Sequence, residues 1–494
     1  MPEQSFAALC VRLCASLGPR PNWRRGVRMS TGLLCLALAL PAAAQALPPT
    51  VATALKKAGL PADALSVVVA PVDASQPARL RLGADRPVNP ASVMKLVTTY
   101  AAIDLLGPEF TWATRFYVDG EVNQGLLRGN LHVQGGGDPK WVMERIVAAL
   151  EAVHAQGVTV IRGDIVLDQS AFQIPRTDPA AFDGERLRPY NAAPEALLVN
   201  FKSLLLGFVP DAAAGVARVS VEPPLQGVQV DATVPLSSGP CGDWRSAVQA
   251  RFDDPDRVSL AGRYPAQCGE RTWPVAYADP DRFAARTIEG LWRQTGGLLT
   301  GQVRLGPVPA KARLIHAAPS LPLTDIVADV NKFSNNVMAQ QVFLTLGRFP
   351  ATFERSRERV LQWWASRFGP RVAAPVLENG AGLSRDERIS ADALLALLRD
   401  AARHPQGAVL RQSLPVVGVD GTAARMGERG ILKNALGQAQ VKTGSLRDVA
   451  SVAGYVQGQG GQQWVAVAII NHPNAPQGRP VLDAVLEWAA SLPR

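Results

Sequence analysis

The sequence predicts an α/β fold whose central sheet draws on both ends of the chain and is interrupted by a large, mostly β insertion. Three observations carry this. An apolar strand pattern occurs early, at Leu65 to Val72 (LSVVVAPV), with a second near Arg79 to Leu82. Three more lie at the far end, at Ala439 to Gly444, Val449 to Val456 and Trp464 to Ile470. Between them, apolar residues recur at helical spacing over Leu323 to Leu346, Thr352 to Phe368 and Ser390 to Ala402. Helices set between an early strand pair and a late strand trio fit one layered domain.

The other elements follow in chain order. Residues 1–46 read as an export signal: five arginines end at Arg28, Gly32 to Ala44 forms a short apolar core, and small residues supply cleavage options. An uncleaved anchor is the alternative. Thr53 to Ala58 reads as helical. Pro87 to Pro90 breaks the chain before a helix from Ser92 to Leu106, which Gly107-Pro108 stops. From about Ala113 to Arg313 the texture changes to short alternating segments such as Gly129 to Gln134 and Gly163 to Leu167, with many Gly and Pro turns. Val216 to Asp231 reads as strand, and a smaller module is expected around 205–275. A last helix, Val481 to Ser491, closes the chain. The expected organisation is therefore signal 1–46, a first domain segment 47–112, an insertion 113–313 and a second segment 314–494.

Composition narrows the function classes. The chain has 494 residues, 47% apolar and 19% charged, the balance of a packed globular protein. The first 46 residues carry five arginines against one glutamate, so only +5 of the formal +9 lies beyond them. No Lys/Arg run follows Arg28, which argues against nucleic acid as a partner. No segment after the signal is apolar enough to span a membrane. Cys241 and Cys268 remain outside the leader, an even pair that in an exported protein reads as a disulfide, with two buried thiols as the alternative. The five histidines are scattered with no H-E-x-x-H, so neither a metal nor another cofactor is expected. Gly135-Gly136-Gly137-Asp138 lacks a following Gly-Lys-Ser/Thr and reads as a turn rather than a phosphate loop.

Three short motifs carry chemistry. Ser92-Val93-Met94-Lys95 is an S-x-x-K opening a helix, Ser334-Asn335-Asn336 an S-x-N beside a helical segment, and Lys442-Thr443-Gly444-Ser445 a K-T-G with a hydroxyl residue on a strand. Each alone is weak, but their order and context are not. At i and i+3 the Lys95 amine reaches the Ser92 hydroxyl. Lys95 must be neutral to take its proton, which burial and a nearby cation such as Lys442 would favour. Alone, Ser92 reads as a helix cap and Lys95 as a solvated residue.

S-x-x-K with K-T-G is the signature of serine β-lactamases and penicillin-binding proteins. The chain resembles more narrowly the low-molecular-mass class C D-alanyl-D-alanine carboxypeptidase/endopeptidase family. The residues that carry this are Asn89 to Lys95 (NPASVMK), Val133 to Pro139 (VQGGGDP), Gly163 to Phe172 (GDIVLDQSAF), Lys332 to Asn336 (KFSNN), Gly380 to Arg385 (GAGLSR), Leu414 to Thr422 (LPVVGVDGT) and Val441 to Ser445 (VKTGS). Ser92 and Ser334 stand 242 residues apart, and Ser334 and Lys442 108 apart. The first gap is wider than a compact β-lactamase leaves. The family more often shows Asp-Gly-Ser-Gly where this chain has Asn379-Gly380-Ala381-Gly382, a difference expected to alter a loop and not the catalytic trio.

The resemblance implies a serine β-lactamase/D,D-peptidase-like domain, an antiparallel sheet flanked by helices. It also implies peptidoglycan stem peptides as substrate, β-lactams as covalent inhibitors and a periplasmic or envelope location. Ser92 would be the nucleophile, Lys95 the base, Ser334 the proton relay, and Asn336 the holder of Lys95 and substrate. Lys442, Thr443 and Ser445 would bind the terminal carboxylate, with Gly444 between them. Asp168 and Arg385 would grip the two ends of a diaminopimelate side chain, with a structural salt bridge as the alternative. A β-lactamase and a non-catalytic envelope-binding protein remain as other readings.

Overall fold

In a computed structural model of the protein, residues 46–493 are described. The signal-segment reading falls on residues outside them, save Ala46.

Both ends of the chain meet in one five-stranded antiparallel sheet, ordered Leu80–Leu82, Leu65–Pro71, Gln463–Asn471, Val449–Gln457, Ala439–Leu446. Strand Leu65–Pro71 is buried along its whole length because both faces are covered. Val68 and Ala70 face one core with Val465, Val467 and Ile469, beneath helices Lys95–Leu106, Leu323–Phe333, Asn336–Leu346 and Ala391–Arg403. Val67 and Val69 face the other core with Ala466 and Ala468, closed by the terminal helices Pro49–Lys57 and Arg479–Ser491.

The helical stretch expected over Leu323 to Leu346 is two helices. Ser334 sits between them in the left-handed region (φ 56°), and Asn335 caps the second helix by accepting from the Met338 N–H. Hydropathy runs on through the break; only the backbone turns. The helix expected from Ser92 begins as a 3₁₀ turn, Ala91–Met94, and becomes α-helical at Lys95.

The stretch 113–313, expected to be mostly β, carries more helix than that. Met143–Ala155 and Pro280–Gln294 pack on a five-stranded sheet ordered Val303–Leu305, Ile165–Asp168, Leu131–Gln134, Ala113–Val118, Arg313–Pro319, and share its core. A further sheet, ordered Tyr264–Pro265, Thr233–Ser237, Val216–Glu222, Ser203–Asp211, Arg271–Ala276, has its own cluster around Phe208, Tyr264 and Cys268. Val216 to Asp231 is not one strand. It ends at Glu222, before two prolines that lack the N–H a ladder needs. Cys241 and Cys268 form a disulfide. Gly135, Gly136 and Gly137 form a close-packed turn: a Cβ on them would meet the Ala196 backbone at 2.3 Å, the Ala113 carbonyl at 2.3 Å and the Phe172 ring at 2.7 Å.

Candidate active site

The turn that presents Ser92 is strained and held from several sides. Ala91 has φ 47°, unusual for a residue with a Cβ. The Asn89 side chain accepts from the Ala91 N–H (2.9 Å) and donates to the Ser384 carbonyl (2.9 Å), and Ser451 Oγ donates to the Pro90 carbonyl. Two glycines let other chain segments approach this turn. A Cβ on Gly382 would sit 1.9 Å from the Ala91 carbonyl oxygen, and one on Gly444 would lie 2.7 Å from the Pro90 carbonyl oxygen. The glycine of K-T-G is thus a packing requirement.

Around this turn the structure gathers the three motifs. Lys95 Nζ donates to Ser92 Oγ (2.9 Å), to Asn336 Oδ1 (2.6 Å) and to the Ala381 carbonyl. Lys442 Nζ donates to Ser334 Oγ and to the Thr443 carbonyl, both at 2.8 Å. Asn336 Nδ2 donates to the Tyr190 carbonyl (3.1 Å), so the inserted stretch reaches the site. Both lysine side chains are fully buried. Burial holds Lys95 at about 7, against a smaller opposing pull from Glu387. Burial, then repulsion from Lys95, pushes Lys442 well below the ordinary lysine range. Neither lysine has a carboxylate within ion-pair distance among the described residues. As a neutral amine Lys95 keeps two N–H groups, for Asn336 Oδ1 and the Ala381 carbonyl, and turns its lone pair to the half-buried Ser92 hydroxyl, which equips it to take that serine's proton.

The edge of the sheet completes the site. Ala439–Leu446 pairs with strand Val449–Gln457 on one side, and on the other only its first residues are bridged, Gln440 opposite Val416. On its outer side the Val441 N–H donates to the Pro415 carbonyl. Alternation along the strand then turns the Thr443 and Ser445 N–H groups to the same outer edge, beside Ser92. Thr443 Oγ1 donates to Thr422 Oγ1 (2.8 Å), and Ser92, Ser334, Thr422, Thr443 and Ser445 line one open cleft.

Glu387 has no place in the three motifs. It is wholly buried, and its two oxygens accept from the N–H groups of Glu378, Asn379, Gly380 and Gly382 at 2.8–3.0 Å. It thereby shapes the loop whose Ala381 carbonyl accepts from Lys95. The varied segment, Glu378 to Gly382, is this loop; it touches Lys95 through a backbone carbonyl, and the three motifs are unaltered.

Asp168 and Arg385 are placed differently from the other candidates. The Asp168 side chain is buried, Oδ1 accepting from the Ser170 N–H and Oδ2 from Gln134 and the Val308 N–H. These bonds outweigh its burial and hold it below the usual carboxylate range. Arg385 is half-exposed, pairs with Asp448 at 3.1 Å and lies 4.6 Å over the Phe182 ring. The cleft that Arg385 lines does not include Asp168. Both Asp168 oxygens already accept from local donors, and the side chain lies apart from the Arg385 cleft.

Comparison with known proteins gives the family and the fold. A family model described as the D-Ala-D-Ala carboxypeptidase 3 (S13) family matches residues 47–492. The chain is 29% identical over 420 residues to the D-alanyl-D-alanine carboxypeptidase of Actinomadura sp. (strain R39), covering 80% of this chain and 76% of that one. It is 27% identical over 394 residues to the D-alanyl-D-alanine carboxypeptidase DacB of Haemophilus influenzae, covering 77% and 80%. The crystal structure of penicillin binding protein 4 (dacB) from Haemophilus influenzae superposes with a TM-score of 0.70 at 24% identity, covering 87% of this chain and 97% of that one.

Proposed function

The chain belongs to the D-Ala-D-Ala carboxypeptidase 3 (S13) family, and from that premise we propose that it cuts peptidoglycan stem peptides, and the D-Ala cross-links between them, through an acyl-enzyme on Ser92. The observation that carries this reading is the 2.9 Å contact from a buried Lys95 amine to Ser92 Oγ, within reach of the K-T-G strand.

With Lys95 at about 7, a large share of it is free amine near neutral pH. Lys95 takes the Ser92 proton as Oγ attacks the carbonyl carbon of the penultimate D-Ala. The Ser92 and Ser445 N–H groups face the oxygen that gains charge. Thr443 and Ser445 hydroxyls, with Lys442 behind them, hold the leaving residue's carboxylate. As the C–N bond breaks, the proton that Lys95 took from Ser92 passes by way of the Ser334 hydroxyl, which Lys442 holds, to the departing amine, and Lys95 is neutral again. Water then attacks the ester, its proton returning through Lys95, and Ser92 is regenerated. Asn336 holds Lys95 and the substrate amide. The segments 47–112 and 320–494 form the peptidase, and 113–319 an insertion that lends it Tyr190; strand Arg313–Pro319 belongs to the insertion's sheet and carries the boundary past the expected 313. On the acyl side, Arg385 receives a carboxylate of a diaminopimelate residue. Such a substrate requires export to the envelope, for which residues 1–46 serve as signal.

Fluorescent penicillin labels the protein covalently if this is right, and purified protein releases D-Ala from a pentapeptide. Ser92→Ala abolishes both. Labelling of the variant at the wild-type level would overturn the nucleophile, and rapid turnover of the drug by wild type would favour a β-lactamase.

A further inference from the structure

The cleft does not end at the carboxylate subsite. Beyond Thr443 it continues between the 3₁₀ segment Gly421–Arg429 and the start of helix Arg479–Ser491. Residues three apart on a 3₁₀ helix lie above one another. Thr422, bonded to Thr443, therefore carries Arg425 and then Glu428 along the same wall. Arg425 is largely exposed, and its ion partner is Glu428 on the next turn, an exposed pair of little strength. Arg479 lines the same cleft and is exposed, with no ion pair or hydrogen bond to its side chain among the described residues. It stands at the first position of its helix, where the dipole disfavours a cation and an arriving anion would relieve the cost. Arg429, also on this wall, is locked to the buried Asp483 and is not available.

The two arginines have no use for free D-Ala. Its single carboxylate is taken by Thr443 and Ser445, and nothing of it extends further. Hydrolysis of a cross-link has a different leaving group. The departing amine belongs to a diamino acid embedded in a whole stem peptide, whose further carboxylates trail away from the cut bond. We infer that Arg425 and Arg479 form a leaving-group subsite for the carboxylates of the acceptor stem. The inference rests on the reading that this enzyme cuts cross-links as well as free ends. Guanidinium pairs suit it, since each binds a carboxylate through two parallel N–H groups.

The test compares a cross-linked muropeptide dimer, the same dimer with its acceptor carboxylates amidated, and a monomeric pentapeptide, by KM and kcat. In the Arg425→Ala/Arg479→Ala protein the ratio of dimer KM to pentapeptide KM rises about tenfold, with the dimer kcat nearly kept. Arg425→Lys/Arg479→Lys recovers part of the loss. Amidation raises the wild-type KM for the dimer and erases the difference between wild type and variant. Penicillin acylation by each variant reports an intact fold. Wild-type cleavage of the dimer with an unchanged KM ratio in the Ala variant overturns the subsite alone. Wild-type protein that trims the pentapeptide and leaves the dimer uncut overturns the cross-link reading, and the subsite with it.

Discussion

Lys95 and Asp168 are both buried ionisable residues, one beside Ser92 and the other on strand Ile165–Asp168. Their surroundings act in opposite directions. Lys95 touches a hydroxyl, an amide oxygen and a carbonyl, with no carboxylate in contact, so burial wins and the amine falls to about 7. Asp168 is wrapped by donors that suit its ionised form, so the hydrogen bonds win and the group stays charged. Burial without a counter-ion makes a group reactive near neutral pH; burial with its bonds filled makes it architecture. Candidate residues therefore need to be judged by what already satisfies them, as well as by residue type.

The largest expected effect lies at Lys95. Lys95→Met keeps the volume and removes the base, and acylation by penicillin falls about a thousandfold, within the range general-base catalysis supplies. On the proposed mechanism the base is the neutral amine, so acylation is suppressed below the Lys95 value, rises through pH of about 7 and levels above it. A stopped-flow pH profile checks this. A rate that is flat from acid to neutral pH would remove Lys95 from the role and break the contrast with Asp168.

Glu387 sharpens the comparison because it belongs to both classes. It fills its bonds with four backbone N–H groups, as Asp168 does, yet its charge acts on Lys95. Glu387→Gln puts an NH₂ where one oxygen now accepts, leaving a buried donor facing a donor, at a cost of about 2 kcal/mol. It also removes the charge that favours the Lys95 ammonium. The amine value drops, so the rising limb of the profile moves to lower pH. Thermal unfolding and the profile measured together separate the two effects. A limb that stays in place shows that Glu387 works only through the loop.

The difference between the two regions also explains what was legible in the sequence. Ser92, Lys95, Ser334, Asn336, Lys442 and Thr443 stand in short motifs because local geometry sets their spacing: one turn of helix, one break, one strand edge. Glu387 acts through backbone N–H groups that any residue provides, so no partner residue type points to it. The break at Ser334 was hidden for a similar reason, since a left-handed turn leaves the hydropathy pattern on both sides intact. Helix Met143–Ala155 was readable. Ile146, Ala149, Leu150 and Val153 are its buried face at helical spacing, but the Gly and Pro turns around it set the texture of the whole stretch. Asp168 and Arg385 rested on residue type and resemblance. Whether they share a pocket depends on a fold that brings distant segments together, which neither signal contains.

The smallest effect belongs to those two residues, and it tests the comparison most directly. If filled bonds make Asp168 architectural, Asp168→Ala strands the Ser170 and Val308 N–H groups and costs about 1–3 kcal/mol of stability. Turnover of diaminopimelate-containing peptides then changes no more than penicillin acylation does. Arg385 is the reverse. Its pair with Asp448 is exposed and worth little, so Arg385→Ala leaves thermal stability near the wild-type value. A guanidinium lying over Phe182 at the mouth of a cleft can meet a substrate carboxylate, and its loss raises the KM for diaminopimelate peptides several-fold while penicillin, which lacks that group, is acylated as before. Paired unfolding and steady-state measurements on both variants distinguish the roles. A selective KM effect from Asp168→Ala at unchanged stability would return that carboxylate to the binding site, and would show that a fully bonded side chain can still serve the substrate.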